Sequence, residues 1–161
     1  MSRTFRLAAC AALLLASAPV FAEGPLRFFP LTPCRIADTR QSGGPIAAQT
    51  SRNFVVHGTS GQLSSCGIPE NAKAVVLNAT IVGPTTDGYL TLYPSNVARP
   101  VAANLTFRGG EPALGNGAIV GLATGSPDLT AFVFLGTGSA HLVLDTTGYF
   151  CKVDGSGSCI P

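Results

Sequence analysis

Residues 74–94 constrain the fold more than any other part of the sequence, because strict alternation surrounds a turn-rich loop. The stretch reads AVVLNATIVGPTTDGYLTLYP. Its first half places only aliphatic side chains on one face, at Val75, Leu77, Ala79 and Ile81. After the turn formers of residues 83–88, tyrosines and threonine alternate with leucines. Strand side chains alternate between faces, so the stretch predicts a β-hairpin whose aliphatic face other strands must cover.

Short alternating segments recur along the rest of the chain, with turn residues between them. Gly occurs 19 times and Pro 12 times, while charged residues make up only 11%, which argues against solvent-exposed helices. Four further strands are expected at 101–107, 118–123, 129–135 and 141–149, with a turn at 108–116. Eight or nine such strands predict a single all-β domain, an antiparallel β-sandwich of jelly-roll or Ig-like type.

The N-terminus has the features of an export signal. Arg3 and Arg6 precede an apolar run at 7–18, and Val20-Phe21-Ala22 forms a small-x-small cleavage site. We therefore expect residues 1–22 to be a Sec-type signal peptide, 23–150 the sandwich domain and 151–161 a C-terminal tail. The chain carries a net charge of +2, so losing the two arginines leaves a neutral domain. Neutrality gives no support for binding nucleic acid or anionic membranes.

Four cysteines remain after residue 22: Cys34, Cys66, Cys151 and Cys159. An even number in an exported protein predicts two disulfides, and four cysteines allow three pairings. We favour Cys34–Cys66, which would tie an N-terminal strand to the approach to the hairpin, and Cys151–Cys159, which would close the tail. The cysteines lack paired CxxC spacing, so we expect neither a metal site nor a cofactor.

Several short motifs together resemble a β-rich module of bacterial secreted and cell-surface proteins. They begin with PCR at 33–35, DTR at 38–40 and CGIP at 66–69. VLNAT at 76–80, GYLTLYP at 88–94 and NLTF at 104–107 follow, and the pattern closes with LD at 144–145 and GYF at 148–150. The resemblance spans residues 28–150. It implies an extracytoplasmic β-rich domain and no established activity.

Asp38 and Arg40 form the most conspicuous polar pair. They are candidates for a ligand-binding carboxylate and guanidinium. The alternative, which we favour, is an ion pair that satisfies loop groups and holds the N-terminal strand. His141 and Asp145 fall on one strand face, but residues four apart in a regular strand lie about 13 Å apart, which argues against a catalytic dyad.

Tyr89 and Tyr93 share a strand face, so their rings are candidates for stacking on a sugar or a partner side chain. The alternative is that they cover the core. Asparagine is depleted in strands. We expect Asn78, Asn104 and Asn116 to be buried amides that bond loop backbone, so that replacing Asn78 by Leu would lower stability.

The sequence predicts no catalytic residue and favours a non-enzymatic, secreted or periplasmic binding module. Expected partners are a cell-surface glycan, a protein or other copies of the chain, with no nucleic acid and no membrane insertion. Two alternatives stay open. One is a secreted hydrolase that uses Asp38, Asp145 or a histidine, and the other is a structural subunit of a surface assembly.

Overall fold

The computed structural model describes residues 25–57 and 65–160, and within them the protein is built of β-strands without a helix. The ten strands are β1 (Arg27–Asp38), β2 (Ile46–Ala47), β3 (Thr50–Phe54), β4 (Ala74–Val82), β5 (Gly88–Pro94), β6 (Leu105–Phe107), β7 (Ala113–Gly121), β8 (Leu129–Leu135), β9 (Ser139–Val153) and β10 (Cys159–Ile160). No helix in these ranges is long and apolar enough to cross a bilayer.

The strands form two antiparallel sheets, which confirms the predicted all-β architecture. The first sheet has the order β1-β9-β4-β7, and the short strands β2 and β10 also pair with β9. The second sheet has the order β3-β8-β5-β6. The expected eight or nine strands become ten because β2 and β10, of two residues each, pair with β9 beyond the reach of β1.

The core lies between the sheets and follows the alternation expected from residues 74–94. Val75, Leu77, Ala79 and Ile81 of β4 are all buried. From the second sheet, Leu90 and Leu92 of β5 and alternate residues of β8 meet them. Burying these aliphatic side chains is the main favourable contribution to folding in a domain with so few charges.

Both expected disulfides are present. Cys34–Cys66 joins β1 to the segment that leads into β4, across a sequence separation of 32. Cys151–Cys159 joins β9 to β10 across a separation of 8. Residues 151–160, which we expected as a tail, thus form the end of β9 and a strand paired with it. The expected signal peptide lies outside the described residues.

Three expected strands have other bounds in the structure: the one at 141–149 lengthens to β9, and those at 118–123 and 101–107 change more. The strand expected at 118–123 begins at Ala113, because β4 offers a partner to every residue of β7. Part of the expected turn is therefore a strand, and glycine fits closely there: a Cβ at Gly115 would lie 2.8 Å from Thr80 Oγ1, so a larger residue would displace that side chain. The strand expected at 101–107 shortens to β6, because residues 101–104 cross the second sheet instead, where Thr91 donates to Ala102 O.

Removing the two disulfides separately should destabilise the protein to different extents. In the chain-entropy model, replacing Cys34 and Cys66 by serine costs about 4 kcal/mol, and replacing Cys151 and Cys159 costs about 2–3 kcal/mol, because the second loop is shorter. Urea unfolding of the two double variants measures the difference. A larger loss for the Cys151/Cys159 variant would contradict the assignment of the long loop as the main constraint.

Candidate functional site

The two outer faces of the sandwich divide the candidate residues between them. The first sheet carries the polar set on its outer face, where Arg35 is paired with Asp145 and Asp145 with Asn78 across β1, β9 and β4. Tyr89 and Tyr93 lie on the outer face of the second sheet, opposite Phe134 and Thr130 of β8. The sandwich therefore presents one polar face and one aromatic face.

On the polar face, Asp38 is the centre of an ion-pair network. Its side chain is fully buried and accepts hydrogen bonds from Arg40 Nε at 2.8 Å, Arg40 Nη2 at 2.5 Å and Arg35 Nη1 at 3.2 Å. Arg35 also binds both carboxylate oxygens of Asp145, at 2.8 and 3.2 Å. The Asp38 side chain has no exposed surface, whereas the side chains of Arg35 and Arg40 are more than two-fifths exposed.

These contacts set the charge of Asp38. Hydrogen bonds from the Arg40 guanidinium lower the pKa of the Asp38 carboxyl from 3.8 to about 2. A carboxyl with so low a pKa does not donate a proton near neutral pH. The network suits a structural clasp, because it holds the end of β1 against β9.

The structure keeps His141 and Asp145 on one face but gives them different partners. His141 Nδ1 lies 3.1 Å from the Thr39 hydroxyl, which also accepts the Leu142 N–H. Asp145 is engaged by Arg35. Neither residue orients the other, so the arrangement lacks the base–orienter contact of a hydrolytic dyad.

The aromatic face contains a cluster that we call the aromatic patch: Tyr89, Arg99, Phe132 and Phe134. The Tyr89 and Phe134 rings stack with centroids 4.9 Å apart, and Tyr89 also contacts Phe132 at 6.2 Å. The Arg99 guanidinium lies over the Phe132 ring, 3.7 Å from its centroid. Phe134 is 36% exposed. Stacked rings and a cation over a ring each contribute about 0.5–1.5 kcal/mol, which keeps the cluster ordered.

A segment between β5 and β6 places Arg99 over this face and forms a pocket beside it. Thr91 Oγ1 donates to Ala102 O at 2.6 Å, and Asn104 Oδ1 accepts the Leu92 N–H at 2.6 Å. These bonds fasten the segment to β5. The pocket encloses about 290 Å³ and is lined by Tyr89, Arg99 and residues 100–103.

The two candidate tyrosines differ in accessibility. Tyr89 lines the pocket and is half-buried, whereas Tyr93 is only 8% exposed and its hydroxyl lies 3.4 Å from the Ser51 hydroxyl. Sequence reasoning missed Phe132 and Phe134, although alternation along β8 places them on one face. It also missed Arg99, whose position depends on the path of residues 95–104.

A second buried carboxylate, Asp128, was not anticipated either. It accepts the backbone N–H groups of Val56 and His57, and its Oδ2 lies 3.0 Å from His57 Nδ1. His57 Nε2 is buried and has no hydrogen-bond partner among the described residues. His57 and Ser126 both line a pocket of about 260 Å³. This pair fastens the end of β3 to the start of β8.

The three asparagines have different roles. Asn104, which is partly buried, and Asn116 both bond backbone groups, but Asn116 is exposed, contrary to the expectation of a buried amide; its Nδ2 donates to Asn104 O at 2.6 Å. The expectation for Asn78 was wrong. Its side chain is exposed on the outer face, and its amide Nδ2 donates to the Thr80 hydroxyl at 3.4 Å. Odd and even residues of β4 face opposite ways, so an even position beside buried Leu77 and Ala79 must point outward.

No protein-family model matches the chain, and no curated protein sequence matches it. Within residues 25–57 and 65–160, no three His, Cys, Asp or Glu side chains come together as metal ligands. The candidate site therefore depends on geometry alone, and the aromatic patch with its pocket is the strongest one.

The contribution of Asp38 to stability should depend on pH. Because folding lowers the pKa of Asp38, its stabilising effect is fully present above the ordinary value of 3.8 and is lost as the pH falls through about 2. The difference in unfolding free energy between wild type and Asp38→Asn should therefore shrink from about pH 5 to about pH 2. Chemical denaturation across this range measures it, and a constant difference would contradict the clasp.

Asn78 and Asn104 should differ in how much substitution destabilises the protein. Asn78→Leu, at an exposed position, should change the unfolding free energy by less than about 0.5 kcal/mol. Asn104→Ala should cost about 1–3 kcal/mol, because it leaves the Leu92 N–H without its acceptor. Thermal and urea unfolding of both variants provide the comparison. A large loss for Asn78→Leu would show that the outer face of β4 is covered.

Proposed function

We propose that this protein is an exported, non-enzymatic binding module that holds a glycan on the aromatic patch. The observation that carries the proposal is the stacked pair of half-buried Tyr89 and exposed Phe134 beside a pocket that Arg99 borders. Exposed aromatic clusters on a domain with few charges are typical of recognition surfaces. Two disulfides favour an oxidising compartment, which fits the export signal expected at residues 1–22.

The chemistry of the patch fits a sugar. Ring faces match the apolar face of a pyranose, and the Arg99 guanidinium supplies several N–H donors for hydroxyl oxygens. The pocket of about 290 Å³ is at the small end for ligand sites, which suits a terminal sugar better than a long chain. A protein ligand remains the second choice, because tyrosine and arginine are also enriched at protein interfaces.

The hydrolase alternative has one observation in its favour, the His57–Asp128 pair. A carboxylate on Nδ1 leaves Nε2 as the acceptor, which is how a general base is oriented. However, no hydrogen bond joins Nε2 to the Ser126 hydroxyl, and Nε2 is inaccessible to solvent. Asp38 and Asp145 are both paired with arginine. The aromatic patch therefore supports binding better than these groups support catalysis.

A glycan array probed with the exported protein, followed by calorimetric titration of the best oligosaccharide, tests the proposal. Tyr89→Ala should weaken binding roughly tenfold, because the ring is central to the patch. Arg99→Ala should weaken it by a similar factor. Both side chains lie on the outer surface, so the variants should keep the circular-dichroism spectrum of the wild type.

Two substitutions outside the patch serve as matched controls. Phe28→Ala removes an exposed aromatic ring from the first sheet, and Arg108→Ala removes an exposed arginine from the segment after β6. Both should bind like the wild type. The absence of binding to any glycan on the array, or an equal loss of affinity in the two control variants, would refute glycan binding at the patch. Hydrolysis of a glycan that His57→Ala abolishes would instead establish the hydrolase.

A further inference from the structure

The edges of the two sheets differ in how they are protected from pairing with another chain. An unpaired edge strand exposes N–H and C=O groups, and proteins usually block it with proline, charge, bulges or short length. β1 has Pro30 and Pro33, Arg35 and two register shifts. β3 has five residues and contains Arg52, and β6 has three. Each of these edges is therefore a poor template.

The β7 edge has none of these protections. Its nine residues, ALGNGAIVG, contain neither proline nor charge, and they pair with β4 without a register shift. No described strand pairs with its other side. Ile119 on this strand is 65% exposed, and most of its neighbours in β7 are exposed as well. A regular, uncharged and exposed edge of this length is an acceptor for a further strand.

The sequence of β7 is complementary to itself when two copies run antiparallel about Gly117. In that register Gly115 lies opposite Ile119, so each protruding isoleucine meets a position without a side chain. Leu114 lies opposite Val120 on the inward side, which extends the core across the join. Residues directly opposite in such a pair lie about 5 Å apart. Because the two copies are related by a two-fold axis, each of these two contacts occurs twice in the pair, as in most homodimers.

We propose that β7 is a self-association edge through which two copies of this chain pair antiparallel into one continuous sheet. The four strands β1, β9, β4 and β7 of each copy would then form an eight-stranded sheet. The inference is independent of glycan binding, because the edge belongs to the first sheet and the aromatic patch to the second. A nine-residue edge is small for a permanent interface, so the dimer should depend on concentration.

Sedimentation velocity of the exported protein over a concentration series tests whether two copies associate through β7. The mass should rise toward twice that of the monomer as concentration increases. Gly117→Lys should remain monomeric throughout, because it places two like charges together at the two-fold axis. The monomer tolerates a side chain there, since a Cβ would come no closer than 4.0 Å to any neighbour. Ile119→Lys, at an exposed position, should also abolish the dimer.

Gly155→Lys is the matched control, because it adds the same charge at a glycine with open space around it in the turn before β10. It should dimerise like the wild type. Gly117→Cys should form a disulfide-linked dimer on oxidation, and Gly155→Cys should not. A wild type that stays monomeric across the series, or a Gly117→Lys variant that still dimerises, would overturn the proposal.

Discussion

The structure depends on the backbone pairing of β9, the fifteen-residue strand that runs through the first sheet. One side of β9 pairs with β4 and the other with β1, and the short strands β2 and β10 pair with the two ends of β9. Its Leu142 and Leu144 are buried in the core. Without β9 neither the N-terminal strand nor the end of the chain would have a partner. The Asp38 clasp and both disulfides reinforce connections that β9 or its neighbours make.

β9 also changes which side chains face the core along its length. At its register shift, the Thr146 hydroxyl donates to Val76 O and accepts the Gly148 N–H. Such a bulge moves the strand by one residue, so Cys151 turns inward and is completely buried. Before the bulge, His141 and Asp145 face outward. A single irregularity thus separates the polar face from the end that Cys151–Cys159 closes.

Different interactions hold the side chains in place on the two outer faces of the sandwich, and this difference bears on function. On the first sheet, every carboxylate of the Asp38 network is paired with arginine, so its charge is already neutralised within the fold. On the second sheet, order comes from ring stacking and a cation over a ring, which leave apolar surface exposed. Burying the exposed apolar surface under a ligand would be favourable, whereas ion pairs that are already satisfied within the fold offer little gain on binding.

The sequence by itself determined the strand class, the buried face of β4 and the number of disulfides. These follow from local alternation, turn residues and cysteine number, which act over a few residues or through simple counting. Only the tertiary structure decided that Arg99 covers Phe132 and that Asp128 holds His57. Each of these depends on segments that are far apart in sequence. Their contacts are set by sheet order and loop path, and local pattern does not encode either.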